Sequence, residues 1–222
     1  MLDGTDVRDI LRLLPHHSDV YGSRQWVEDI DHYPQYAKLF SVLSPRTLIE
    51  VGTFLGYSLA TAAIVLPELE YIAWVDTEEG LRDSNTLARE NVRTARRLAG
   101  HLVLGMESLR ALPAGMRFGW KSGWDLAHVD ARHDFVSVCN DITMVHALEP
   151  RLIIGHDYCL PGSGVRDAVH RCARELGAGF WWTDRVTNGL FLMQGRADRE
   201  TATATVARLN GVGLDFRAGD CP

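Results

Sequence analysis

An α/β fold with a doubly wound, mostly parallel sheet is predicted from three observations. Short apolar runs alternate with longer amphipathic stretches, Gly or Pro closes most of those stretches, and the last two apolar runs are joined too closely for a helix to fit between them. The alternation demands helical crossovers between parallel strands, and the short final connection demands an antiparallel pair.

In chain order, 47–51 (TLIEV) is the first expected strand, and 57–66 is a helix stopped by Pro67. Residues 71–75 (YIAWV) form the second strand, and 81–98 form a charged amphipathic helix ended at Gly100. A third strand is expected at 101–104 (HLVL) and a fourth at 126–129 (LAHV), followed by a helix over 136–148 that Pro150 breaks. Residues 151–154 (RLII) are the fifth strand, and 164–176 are helical. The strands 179–184 (GFWWTD) and 189–193 (GLFLM) then form a hairpin, giving a seven-stranded sheet with one antiparallel strand. Trp181 and Trp182 alternate across their strand, so at least one belongs to the core. Asn188 is expected to favour the hairpin turn.

Three segments follow from this division. Residues 1–46, with Trp26, Tyr33, Tyr36 and Phe40, are expected as a helical cap over the ligand edge of the sheet. Residues 47–196 are the binding core. Residues 197–222 are a tail that starts as a helix and ends loosely.

The bulk properties exclude several classes. The chain has 222 residues with a net charge of −6, which argues against a nucleic-acid partner. No apolar run reaches the roughly 20 residues that span a bilayer, so no membrane partner is expected. The N-terminus MLDGTDVRDILRLL lacks the basic-then-apolar pattern of a secretory signal. Cys139, Cys159, Cys172 and Cys221 form no CxxC pair, which fits reduced thiols and a cytoplasmic location.

In such sheets ligands bind beyond the C-terminal strand ends. EVGTFLGYS (50–58) follows the first strand there, and Gly52 and Gly56 permit a tight turn and close approach to a ligand. A dinucleotide site would use GxGxxG, but here the spacing is GxxxG, and bulky Phe54 stands two after Gly52. Glu50 would oppose a phosphate and favour a cationic ligand. Asp76, ending the second strand, can accept hydrogen bonds from vicinal ribose hydroxyls. A nucleoside without pyrophosphate fits this set, and a dehydrogenase does not.

EVGTFLGYS resembles the first motif of class I S-adenosylmethionine-dependent methyltransferases, above all small-molecule O-methyltransferases. VDARHDF (129–135) with LEPRLIIGHDY (148–158) resembles further motifs of sugar O-methyltransferases in natural-product pathways. The resemblance spans roughly residues 47–194 and implies a Rossmann-like, seven-stranded sheet. It implies that Gly52, Thr53 and Gly56 line the methionine part of the cofactor, that Glu50 holds the polar network there, and that Ser58 reaches the carboxylate. Asp76 and Thr77 would bind the ribose side. Met106, Glu107 and Ser108 would follow the third strand where the family packs adenine, although LGMES stands here in place of the family's GDS. Asp130 would face the methyl-transfer site and touch the cofactor.

Asp130, His133, His156 and Asp157 meet at adjacent strand ends. Histidine suits proton removal near neutral pH, so His133 and His156 are candidate bases beside Asp130. Asp130 and Asp157 also suit a hard cation such as Mg²⁺, which would lower an acceptor hydroxyl's pKa. Where some relatives carry two acids this chain has His156-Asp157, which leaves both a metal-bound and a metal-free site open.

The expected function is methyl transfer from S-adenosylmethionine to a hydroxyl of a small-molecule acceptor, a sugar or secondary metabolite. N- or C-methylation on the same scaffold and a non-catalytic cofactor-binding subunit are the rival readings. A homodimer contact through residues 1–46 is also open.

Overall fold

The computed structural model describes residues 4–15, 32–76, 84–102, 104–109 and 122–219. Two N-terminal helices, α1 (Gly4–Arg12) and α2 (His32–Leu43), precede β1 (Thr47–Val51). Then follow α3 (Tyr57–Val65), β2 (Tyr71–Val75), α4 (Ser84–Leu98), β3 (Gly105–Leu109), β4 (Leu126–Val129) and α5 (Phe135–His146). The chain continues as β5 (Leu152–His156), α6 (Val165–Leu176), β6 (Phe180–Thr183), β7 (Leu190–Gln194), α7 (Arg199–Gly211) and β8 (Arg217–Ala218).

The strands form one eight-stranded sheet in the order β3-β2-β1-β4-β5-β7-β6-β8. β1 to β5 pair in parallel, and β7 inserts antiparallel between β5 and β6. This is the predicted doubly wound architecture with its hairpin. Asn188 and Gly189 both have positive φ, so the hairpin turn takes Asn188 as expected. Trp181 is buried and Trp182 is half-buried under the Arg217 guanidinium.

Three expectations are corrected. The third strand lies at Gly105–Leu109, not 101–104. Gly100 adopts a left-handed φ of +73°, and the His101 N–H reaches back to the Arg96 carbonyl at 3.1 Å, closing α4. That donor is committed to a helix cap and cannot enter a ladder, and Leu102 is 86% exposed. As a result Glu107 and Ser108 lie within the strand, opposite Ala73 and Trp74, and do not follow it. Their side chains, and all of Thr77, fall outside the described residues.

The tail is also more ordered than expected, and the sheet has eight strands, not seven. The Asn210 amide brackets the Phe216 backbone, donating to its carbonyl at 3.0 Å and accepting its N–H at 2.5 Å. Leu214 and Phe216 are buried, so the chain returns along β6 as a second antiparallel strand, β8. GVGLDFRAGDCP carries no periodicity because its order comes from these distant partners.

Strand alternation sends Leu48, Leu126 and Ile154 into the core under α2, α3, α4 and α7. Ile49, Ala127 and Ile153 pack on the other face under α5 and α6. No helix among the described residues is long and apolar enough to cross a membrane.

Arg96 binds this scaffold together. Its buried guanidinium donates to the carbonyls of Ala63, Leu66, Pro67 and Leu69, capping the C-terminal end of α3 with a cation. Arg96→Ala removes the guanidinium donors from this helix end, and its expected cost is about 2–4 kcal/mol in unfolding free energy. Urea denaturation of the full chain measures it.

Candidate functional site

The site lies where the C-terminal ends of β1, β4 and β5 meet the N-terminal turn of α2. The pleat decides which side chains face it. Glu50 on β1 and His128 on β4 are register partners with the face parity of Leu48 and Leu126. Both are buried, at 0% and 1% exposure. A carboxylate only accepts, so His128 Nδ1 donates to Glu50 Oε1 at 2.5 Å. His128 Nε2 then accepts from the Tyr36 hydroxyl at 2.9 Å. The Ser58 hydroxyl donates to the same Glu50 oxygen. A buried chain Tyr36–His128–Glu50–Ser58 therefore ties α2 to the turn after β1. Ser58 is directed to Glu50, where the resemblance implied a cofactor carboxylate. Sequence reasoning missed His128. Its signal was a buried acid near the end of one strand and a histidine at the matching place in an apolar strand.

The turn itself fits a ligand that carries donors. Glu50 Oε2 and Thr53 Oγ1 are buried polar atoms with no hydrogen-bond partner, on either side of Gly52. Asp76 Oδ2 accepts the Phe54 N–H at 2.5 Å, so the end of β2 is bonded into the same turn. Gly52 has a φ of +88°, and a Cβ there would lie 2.1 Å from the Asp130 carbonyl oxygen. Glycine there thus lets the β4 end pass close to the turn after β1. Gly56 makes a milder approach, with a virtual Cβ 3.0 Å from Ala88 Cβ on α4.

Beyond β4 and β5 the four predicted residues converge. His133 Nε2 lies 2.8 Å from Asp157 Oδ2 and 3.8 Å from Asp130 Oδ1. His156 Nδ1 lies 3.3 Å from Asp157 Oδ1 and 3.7 Å from Asp130 Oδ1. One ligand atom each from Asp130, His156 and Asp157 falls within 4.8 Å of the others. Burial opposes the charge on Asp130 and Asp157, but the two histidines outweigh it and hold both carboxyls well below their usual range. The hydrogen-bonding partners Asp130 and Asp157 raise His133 to about 10. Burial lowers His156, yet the same two acids overcome it and carry it to about 10. With protein groups alone, both imidazoles are cations at neutral pH and carry no lone pair for a base role.

His32, unassigned from sequence, completes the wall. Its ring meets that of His156 edge-on at 4.3 Å, and its Nε2 is 3.2 Å from the Thr187 carbonyl, the acceptor His156 Nε2 also reaches at 2.7 Å. Burial, then the positive His156, lower His32 to about 4, so it is neutral. Tyr33 and Tyr36 are buried beside it, and burial raises both phenols. A separate cleft at the opposite sheet end is lined by Arg46, Asp125, Arg151 and Arg208. There Arg46 pairs with Glu70, and Asp125 accepts the Arg46 and Thr47 N–H groups, so its polar groups serve the start of β1.

Residues 49–158 match a family model described as a methyltransferase domain. That span contains the β1 turn, Asp76, Asp130 and Asp157. The solved structures that share the fold include the following three. The O-methyltransferase from Bacillus cereus, in complex with SAH, is 15% identical with a TM-score of 0.53, over 85% of this chain and 99% of that one. The O-methyltransferase TomG from Streptomyces achromogenes, involved in tomaymycin synthesis and in complex with SAM, is 19% identical with a TM-score of 0.56, over 84% and 89%. The SAH-bound methyltransferase PaMTH1 from Podospora anserina is 12% identical with a TM-score of 0.56, over 88% of each chain. No curated protein sequence matches the chain.

Proposed function

Taking residues 49–158 as a class I S-adenosylmethionine-dependent methyltransferase domain, we propose that this chain methylates a hydroxyl of a small molecule, a sugar or secondary metabolite. One observation carries the reading: the Gly52 turn and the Asp130 carbonyl are in backbone contact, which puts the acid–histidine cluster beside the cofactor turn. The reacting oxygen and the donor can then be held in one geometry, which is most of what an in-line displacement needs.

The cofactor supplies an electrophilic methyl on a sulfonium. The chain's own residues do the rest. Glu50 Oε2 and Thr53 Oγ1, buried and unpartnered, accept donors of its amino-acid end. Asp76 accepts from the ribose hydroxyls. Asp130, the more exposed of the two cluster acids, accepts a hydrogen bond from the acceptor's hydroxyl, aims the oxygen, and takes the proton as the O–methyl bond forms and the methyl–sulfonium bond breaks, leaving S-adenosylhomocysteine. Asp157, His133 and His156 fix Asp130, while His32, Tyr33 and Tyr36 close the site against water. The buried, unpartnered Asp157 Oδ1 fits a divalent cation, which Asp130 and Asp157 would hold and which would lower the pKa of the acceptor hydroxyl. Transfer of labelled methyl from S-adenosylmethionine to a panel of sugars, phenols and amines tests the class. Label on oxygen is expected; label on nitrogen or carbon alone would overturn it.

Asp76→Ala removes the ribose acceptor. Calorimetry is expected to record an S-adenosylmethionine affinity about 10–100-fold weaker, the worth of one or two hydrogen bonds to a charged group. Unchanged affinity would remove Asp76 from that role.

A further inference from the structure

We propose that Asp130, His156 and Asp157 form a site for a nitrogen-accepting first-row transition ion of the Zn²⁺, Fe²⁺ or Co²⁺ class, and that Mg²⁺ is not its natural occupant. The inference deepens the methyl-transfer reading. It rests on that reading for what the ion does to the acceptor, whereas the binding itself rests on the residues alone.

The site is built on two adjacent parallel strands. Asp130 directly follows β4 with its N–H on the Val51 carbonyl, His156 ends β5 in register with Leu190, and Asp157 directly follows it. Their ligand atoms converge within 4.8 Å. The two separations from His156 Nδ1, 3.3 Å to Asp157 Oδ1 and 3.7 Å to Asp130 Oδ1, are close to the roughly 3.0–3.5 Å between neighbouring ligands on an ion with bonds near 2.1 Å. Asp157 is 4% exposed, and its Oδ1 has no hydrogen-bond partner while it faces this centre. Its polar contact at this centre is the 3.3 Å ion pair with His156 Nδ1, so a bound cation would take the place of that charge and satisfy the oxygen directly.

The orientation of His156 specifies the kind of cation. Its Nε2 lies 2.7 Å from the Thr187 carbonyl, which can only accept, so Nε2 carries a proton. The other nitrogen, Nδ1, is thereby presented to the two carboxylates. Metal-bound histidines are oriented in this manner, with one ring N–H held by a backbone carbonyl and the other nitrogen on the ion. His133, 2.8 Å from Asp157 Oδ2, orients the second oxygen of that carboxylate. Mg²⁺ prefers oxygen ligands in a near-ideal octahedron and keeps its waters, whereas imidazole suits Zn²⁺, Fe²⁺ and their neighbours. A set of two carboxylates and one imidazole therefore selects the latter class.

The test uses the full chain stripped with chelator, titrated separately with Co²⁺ and Mg²⁺ by calorimetry. Visible absorption follows the Co²⁺, and S-adenosylmethionine affinity is measured on the same preparations. Wild type is expected to bind one Co²⁺ at least about 10²-fold more tightly than Mg²⁺. His156→Asp, an all-oxygen set, should weaken Co²⁺ about 10–100-fold without weakening Mg²⁺ and change the Co²⁺ spectrum. Asp157→Asn should weaken both ions, and circular dichroism checks that each variant is folded. Should a variant fail to fold, the wild-type Co²⁺-to-Mg²⁺ ratio decides alone. Absence of Co²⁺ binding, or Mg²⁺ binding as tight, overturns the proposal even if S-adenosylmethionine binds. Tight Co²⁺ binding without S-adenosylmethionine binding supports it and sinks the methyl-transfer reading.

Discussion

Asp130→Asn is expected to lower methyl transfer about 10³-fold while S-adenosylmethionine affinity stays within about threefold. Asparagine keeps the shape, and the backbone N–H still reaches the Val51 carbonyl, observed at 2.8 Å, so the β4 end stays beside the Gly52 turn. What disappears is the negative charge that the proposed function directs at the acceptor. His133 Nε2 and His156 Nδ1, at 3.8 and 3.7 Å, also lose one of the two carboxylates that hold them. Both changes act on the aim of the acceptor oxygen, and neither touches Glu50, Thr53 or Asp76. Single-turnover transfer measured beside calorimetric cofactor affinity separates the two quantities. A loss of turnover below about tenfold would take Asp130 away from the chemistry.

Gly52→Ala has the largest expected structural effect. The new Cβ would lie 2.1 Å from the Asp130 carbonyl oxygen and 2.4 Å from Ala131 Cα, both backbone atoms that cannot rotate aside. The φ of +88° is itself unfavourable for a side chain. To relieve the overlap, the β1 turn and the β4 end must part, against the Gly52-to-Val75 and Asp130-to-Val51 hydrogen bonds, both 2.8 Å. A destabilisation of about 2–4 kcal/mol is expected, with cofactor affinity at least about tenfold weaker. Gly56→Ala provides the contrast. Its Cβ meets Ala88 alone, at 3.0 Å from the side-chain Cβ and 3.2 Å from Cα, a looser approach than at Gly52, so about 1–2 kcal/mol is expected. Denaturant melts and calorimetry on both variants measure the difference. Equal effects would mean that strain at positive φ, and not the contact with Asp130, is what Gly52 relieves.

Much of this architecture was legible in the chain. TLIEV, YIAWV and LAHV became strands at the expected residues because each is short, apolar and bounded by breakers. The short connection after GFWWTD forced a hairpin, and Asn188-Gly189 supplied its turn. HLVL misled because an apolar run does not disclose that His101 is committed to capping α4. The tail misled for a related reason: β8 depends on distant partners, among them Asn210 and the edge of β6.

At the candidate site, the sequence singled out Glu50, Asp76, Asp130, His133, His156 and Asp157 because each stands at or near a strand end, and strand ends can be read from local pattern. It could not pair them. Glu50 with His128, His156 with Thr187 and His32, and the cluster's two acids with its two histidines are contacts between segments far apart in the chain. Their protonation and ligand geometry follow from distances of a few ångströms and from burial, which no local pattern encodes. The sequence by itself determined the strand order's raw material, the glycine turn after β1 and the residue types at the candidate site. Only the tertiary structure decided which of those residues share a proton, which oxygen is left without a partner, and that an imidazole nitrogen stands among the oxygens where a cation would bind.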